Sequence, residues 1–295
     1  MQLKQQYPNL SRITQNVMWL GTDNSIRLGI GLCVTALLAR YFGPEQFGIF
    51  NYAIAFAAFF YPLVSLGLET VVVRELVRNA LIRDKILGTV FIIKLAGGLL
   101  AFLFCFLSAN FFIVHDHLVK WLILIVSTGI VFQSFDVIDL YYQSQVLSRY
   151  TILAKNSSFL IMAGLKVYLI SRHAPLELFA AAVMLEIVLG AINMYFIFRH
   201  QKLGLHMRLF SFPLAKDLLK QSSFMIMSAF MVLLYIRMDQ VLVGRILGER
   251  GLGMYAATTR ITEMFFVLPV VLTNTLFPLI VQYRASNKAL YELKL

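Results

Sequence analysis

Leu38-Ala39-Arg40-Tyr41-Phe42-Gly43-Pro44-Glu45-Gln46-Phe47-Gly48-Ile49-Phe50 decides how this chain is read, because the pattern returns as Val243-Gly244-Arg245-Ile246-Leu247-Gly248-Glu249-Arg250-Gly251-Leu252-Gly253-Met254-Tyr255. Arg40 matches Arg245, Gly43 matches Gly248, Gly48 matches Gly253, and the aromatic Phe50 matches Tyr255, at an offset of roughly 205 residues. A recurrence of this kind fixes the architecture before any motif is read. In each copy one apolar run ends, a glycine-bearing turn follows, and the next apolar run begins. Glycine suits such a turn, where positive φ or close backbone approach is needed. Proline follows at a similar depth in each next run, Pro62 in one and Pro269 in the other.

Working outward, the composition excludes most function classes. Of 295 residues, 59% are hydrophobic and only 14% charged, with a mean hydropathy of +0.76. A soluble domain has about 45–50% apolar and about 25% charged residues. This chain cannot hide so much apolar surface from water, so it reads as an all-α integral membrane protein. A soluble enzyme, a secreted disulfide scaffold and a disordered regulator are excluded. An apolar run of about 20 residues crosses a bilayer, and eight such runs lie near 16–40, 47–69, 87–109, 119–142, 151–171, 177–198, 221–245 and 254–283. The connections are short, and none could hold a folded extramembrane domain. Nothing at the N-terminus looks cleavable, so the first helix is expected to remain. Cys33 and Cys105 both fall in apolar runs without a spacing motif and read as packing residues.

The net charge of +11 would suggest nucleic acid in a soluble protein. Here the basic residues lie mostly between apolar runs, where they set orientation, and no nucleic-acid partner is expected. Alternate connections divide them unevenly. One side holds 16 lysines and arginines, including Arg74, Arg78, Arg83, Lys85, Arg149 and Lys155, and the other holds Arg40, Lys120, Arg172, Arg245 and Arg250. Both termini of the chain are therefore expected in the cytoplasm.

The repeat offset contains six helices. The expected architecture is two parallel-repeat lobes of six transmembrane helices, of which this chain holds about eight: a lobe over 1–205, then the first two helices of a second, truncated lobe over 206–295. Transporters bind substrate between such repeats and alternate access by rocking one against the other.

Two stretches carry a resemblance to a known family. Leu37 through Tyr52, followed by Leu66-Gly67-Leu68-Glu69-Thr70-Val71-Val72-Val73-Arg74-Glu75-Leu76, resembles bacterial O-antigen and polysaccharide flippases. Arg237-Met238-Asp239-Gln240-Val241-Leu242-Val243-Gly244 through Tyr255-Ala256 is similar to the same family's seventh helix and turn. These proteins belong to the multidrug/oligosaccharidyl-lipid/polysaccharide exporter superfamily. The resemblance implies a transporter of the bacterial inner membrane that moves undecaprenyl-pyrophosphate-linked oligosaccharide, such as an O-antigen or capsule repeat unit, from the cytoplasmic to the periplasmic leaflet. Other glycan-assembly membrane proteins would be its partners. Family members have twelve or more helices, so the chain departs from the pattern by stopping after eight. A cation-coupled multidrug exporter of the same fold is the alternative.

Ionisable residues at membrane depth are functional hypotheses by default. The deepest are Arg27, Lys94, Lys166, Glu186, Arg237, Asp239, Arg260 and Glu263. Exposing all eight to lipid would cost on the order of 20 kcal/mol on insertion scales, so they must pair or line water. Five are basic and three acidic, which predicts a net positive interior. Arginine forks match phosphate oxygens bidentately, and Arg27, Arg237, Arg260 and Lys94 are the candidate cavity cations for a pyrophosphate head group. Asp239, Glu263, Glu186, Asp136 and Asp139 are the candidates for gating or for coupling to H+ or Na+. The plainer alternatives are structural: an i, i+4 pair of Asp23 with Arg27 and an i, i+3 pair of Arg260 with Glu263. Lys94 and Lys166 could snorkel or face another helix without touching substrate. Asp136 and Asp139, with Gln133 and Gln143, could form a solvated helix end. His115-x-His117 lacks a third metal ligand, and no nucleophile motif or phosphate-binding glycine loop occurs. No enzymatic activity and no cofactor are expected.

Overall fold

The computed structural model describes residues 10–112 and 116–286. Among them the chain is helical throughout and contains no strand. In chain order the helices are α1 (Leu10–Ala58), α2 (Pro62–Ser65), α3 (Leu68–Arg78), α4 (Arg83–Phe112), α5 (His117–Phe132), α6 (Val137–Ser144), α7 (Arg149–Ser171), α8 (Leu176–His200) and α9 (Phe212–Ser286). Among the described residues six helical stretches are long and apolar enough to cross a membrane: Arg27–Arg78, Arg83–Phe111, His117–Ser144, Arg149–Ser171, Leu176–His200 and Phe212–Thr259. The protein is a multi-pass membrane protein.

Two of these six stretches each contain two of the runs expected from hydropathy, joined where the helix resumes at once beyond a glycine turn. Only Gly43 in α1 (φ 71°, ψ 175°) and Gly248 in α9 (φ 72°, ψ −175°) leave helical geometry inside those two elements. That region of backbone space is open essentially to glycine alone. The 75 residues of α9 would run about 110 Å if straight, against a hydrocarbon core of about 30 Å, so the break is what fits the helix to a bilayer.

Local chemistry sets the other boundaries. Asp116 caps α5, its Oδ1 accepting from the Val119 N–H at 3.1 Å. A 3-10 turn over Gln133–Asp136 interrupts the passage from α5 to α6. Between α7 and α8, His173 takes a left-handed conformation and Pro175 precedes the first helical residue. The Tyr41 hydroxyl of α1 donates to the Ala174 carbonyl of that turn at 3.0 Å.

Apolar packing divides into two cores. One gathers Phe47, Phe50, Ala101, Cys105, Leu122, Ile123, Phe179 and Ala256. The other gathers Leu68, Val72, Leu87, Val90, Ile138, Tyr142, Met194 and Phe198. Along α4 the buried residues of the second core end at Ile93, with partly buried Leu95 packed against them, and those of the first begin at Ala101; along α8 those of the first end at Ala180, with Val183 packed against them, and those of the second begin at Met194. Lys94 and Glu186 fall in those gaps. Asp136 falls in the corresponding gap between Ile130 and Val137. The ionisable residues therefore form a seam between two apolar layers.

The two glycine turns also meet. A Cβ on Gly48 would run into the Glu249 carbonyl, 2.8 Å from its carbon and 3.0 Å from the Gly253 nitrogen. A Cβ on Gly253 would run into the Pro44 carbonyl, 2.7 Å from its carbon and 3.1 Å from the Gly48 nitrogen. The two contacts are reciprocal at the offset seen in the sequence.

Candidate functional site

The seam borders two joined cavities. The larger, of about 520 Å³, is walled by α1, α7 and α8 and takes Arg27, Thr35, Asn51, Phe159, Lys166 and Glu186 into its lining. The smaller, of about 190 Å³, takes Arg27, Gln133, Asp136, Lys155 and Glu186. Arg27, Glu186 and Ile187 belong to both. Each wall is built from a helix that carries apolar residues toward a core and one or two ionisable residues toward the gap.

Arg27 comes from the first arm of α1, and its guanidinium carbon stands 5.3 Å from the centre of the Phe159 ring on α7. Cation–π contact of this kind holds a guanidinium beside an aromatic face. Lys166 on α7 donates to Glu186 Oε2 on α8 at 2.8 Å. Lys155, one helical turn and a half into α7, reaches both Asp136 Oδ1 at 2.9 Å and Asp139 Oδ2 at 3.2 Å. The 3-10 turn makes this grip possible by placing Asp136 and Asp139 on either side of one ammonium. Nearby, Asn193 of α8 donates to Ser158 of α7 at 2.9 Å, fixing the two helices where they flank the smaller cavity.

Lys94 is only 2% exposed. It lies within Coulombic range of Asp136, Glu69, Lys155 and Asp139, and Tyr61 shares the same neighbours. Of the two plainer alternatives for Lys94 and Lys166, snorkelling gives way and facing another helix holds: Lys94 is buried, and Lys166 spends its ammonium on Glu186 of α8. Asp136 and Asp139 share Lys155 and keep part of their side chains exposed, 27% and 19%.

The positive interior takes a different form in the described seam. Arg27, Lys94, Lys155 and Lys166 face Glu69, Asp136, Asp139 and Glu186, four cations against four carboxylates. Sequence counting placed Lys155 among the loop charges, and Glu69, Asp136 and Asp139 at a helix end, so it missed the balance. The signal was present: two carboxylates three residues apart need a cation, and Lys155 is the next basic residue but one along the chain.

Other candidates lie elsewhere. Asp239 of α9 accepts a hydrogen bond from the Tyr255 hydroxyl, which ties the two arms of α9 across Gly248. It also accepts from the Gln240 N–H at 2.7 Å. The side chains of Arg237, Arg260 and Glu263, and that of Asp23, lie outside the described residues, as does His115. Arg245 lines a third cavity of about 440 Å³ with Tyr52, Asp116 and Glu249. Among the described residues no group of three or more His, Cys, Asp or Glu is placed to hold a metal ion.

These features describe a helical membrane protein with a charge-paired interior and polar cavities between its helices. Comparison with known proteins adds a family. No curated protein matches the chain, and no solved structure does. The profile of the family described as "Polysaccharide biosynthesis protein" matches residues 13–284, nearly the whole chain. On that match the chain belongs to the polysaccharide biosynthesis protein family, that of the polysaccharide and O-antigen flippases.

Proposed function

We propose that the protein moves a lipid-linked oligosaccharide from the cytoplasmic to the opposite leaflet by alternating access, with the phosphate-bearing head group entering at Arg27. The observation that carries this reading is the position of Arg27 on the shared wall of both cavities, stacked on Phe159. A head group there meets an arginine fork held in place by an aromatic ring, while the sugars occupy the polar space and the isoprenoid stays in lipid. The described seam is neutral in formal charge, so the preference for an anionic cargo rests on this placement and on the family. It does not rest on a net positive interior. Glu186 faces both cavities and is tied to Lys166; exchange of that partner is the proposed step by which head-group binding, or a coupling H+ or Na+, is sensed. In this reading Arg237 and Arg260 supply the opposing wall, and the chain comprises a six-helix lobe over 1–205 and the opening helices of a second over 206–295. The excess of basic residues in alternate connections supports a bacterial inner-membrane protein with both ends of the chain in the cytoplasm.

The test is side-resolved. In a strain deleted for the gene, lipid-linked oligosaccharide is probed on spheroplasts with an impermeant lectin or glycosidase. Accumulation confined to the inner leaflet is expected, with rescue by the whole gene, partial rescue by Arg27→Lys and none by Arg27→Ala. Normal leaflet distribution in the deletion strain would refute the function. Full rescue by Arg27→Ala would refute the site.

A further inference from the structure

The reciprocal meeting of the two glycine turns is more than helix packing requires. In each copy a Gly-only backbone residue (Gly43 or Gly248) is followed directly by the residue whose carbonyl is met (Pro44 or Glu249), and five residues on by the glycine that meets the other copy's carbonyl (Gly48 or Gly253). Each copy thus holds a pivot, an acceptor carbonyl and a bare Cα within six residues, and both copies use them in the same way.

Three observations say what such a joint can do. The contact is between backbones, so it opens without unpacking interdigitated side chains; its attractions are weak Cα–H···O contacts and van der Waals contact. The pivots lie beside it, in a conformation that places one sharp bend in an otherwise helical run. Finally, the first arm of α9 packs on the rest of the described chain over its first part and again around the joint. Ala215, Leu218 and Ser222 are buried near its start, the backbone at Met225 and Ile226 closely approaches Gly67, and Gln240 is buried around the joint with Leu252 and Ala256 of the second arm. Between these contacts Met231, Val232, Tyr235 and Ile236 are exposed, Tyr235 by 87%. Parting the joint therefore breaks no continuous helix–helix seam along that arm.

We propose that the Gly48–Gly253 crossing is a clasp that closes the turn side of the space between the two repeated units, and that it parts symmetrically about Gly43 and Gly248 when that side opens. Side-chain size at the two glycines then sets the open-to-closed ratio. The inference uses the repeat and the backbone geometry, and it does not depend on the identity of the cargo.

The test uses the full gene product in lipid nanodiscs with Cys33→Ser and Cys105→Ala. Spin labels are placed at Glu45→Cys and Arg250→Cys, exposed equivalents on the two turns. Electron–electron distances in this glycine-intact protein should fall into two populations. Gly48→Ala should raise the longer-distance population about tenfold relative to the shorter, the ratio that about 1.4 kcal/mol of overpacking gives. Gly253→Ala should do the same. Gly164→Ala, where a Cβ meets nothing within 4 Å, should leave the distribution unchanged. A single distance in the glycine-intact protein overturns the clasp even if either alanine variant fails to fold. Opposite shifts for Gly48→Ala and Gly253→Ala overturn its symmetry. The measurement contains no glycan, so a two-population result with a failed leaflet assay keeps the clasp and discards the cargo.

Discussion

Breaking the Lys166–Glu186 pair should destabilise the protein, and removing both partners should restore most of the loss. The nitrogen and oxygen stand 2.8 Å apart, with the lysine side chain 12% and the glutamate side chain 25% exposed. Removing one partner of a fully buried pair costs about 3–5 kcal/mol, because the other charge is left uncompensated. A lone charge at helix mid-depth costs about 2.5–3.5 kcal/mol on insertion scales. These side chains border a cavity and keep some exposure, so about 2 kcal/mol is expected for Glu186→Gln. Lys166→Met should cost less, about 1 kcal/mol, since Glu186 faces both cavities and shares their wall with Arg27. In the double variant two neutral side chains of similar volume remain, so only about 0.5 kcal/mol of loss should persist, a coupling energy of about 2.5 kcal/mol. With about 2–4 °C lost per kcal/mol in chains of comparable size, Glu186→Gln should lower the melting temperature by about 4–8 °C. Scanning calorimetry of the purified protein in one detergent gives the three values needed. Simple additivity of the two single losses, or three variants that melt with the parent, would refute the pairing as a source of stability.

Lys155→Met should be the more severe change at the neighbouring cluster, since it leaves Asp136 and Asp139 facing each other without their shared cation; a loss of about 3 kcal/mol is expected. Asp136→Asn keeps the Asp139 contact and should cost about 1 kcal/mol, so the order of the two melting temperatures checks the bridging geometry. Gly43→Ala and Gly248→Ala should each cost about 1–3 kcal/mol, because an alanine cannot enter that backbone region without strain. Their φ values are 71° and 72°, so the two melting shifts should agree closely, and a neutral result at either site would show that its turn can be made another way.

The membrane character, the helical class and the two glycine turns were legible because they follow from composition and from one recurring pattern. Gly43 and Gly248 were readable as turns needing positive φ, and both have it. Hydropathy could not show that the helix resumes so directly beyond these residues, since a single residue of altered φ and ψ leaves the composition of the flanking runs untouched. The site was less legible. Arg27, Lys166 and Glu186 were identifiable by depth alone, but depth does not say which neighbour a charge meets. Lys155 and Asp136 were counted by position along the chain, and the 3-10 turn at Gln133–Asp136 then carried the carboxylate to the lysine. Sequence spacing assumed an unbroken helix at that point. The burial of Lys94 was unreadable for a related reason: its long stem permits snorkelling, and only the packing of α4 between two cores decides against it.

The seam raises a physical question about why a helical bundle should carry it. Well-packed hydrophobic residues in place of buried ion pairs are often as stable or more so, and in lipid the incentive to remove charge is greater still. A bundle selected for stability alone would run its two apolar cores together through Lys94, Asp136 and Glu186. Instead the charges sit in the gap between the cores, and most of them face cavities. Pairing lowers the cost of keeping them there, and it also makes each pair divisible: a phosphate can take Lys166 from Glu186, and a proton or sodium ion can take the carboxylate left behind. A polar interior that can exchange partners one ion at a time lets a charged head group enter without presenting an uncompensated charge to lipid. Passage of the proposed cargo would account for that stability cost, which is why the Lys166–Glu186 cycle and the leaflet assay should be run on the same variants. Glu186→Gln that lowers stability yet transports normally would assign the pair to folding alone; loss of transport beyond the loss of folded protein would place the exchange in the transport cycle.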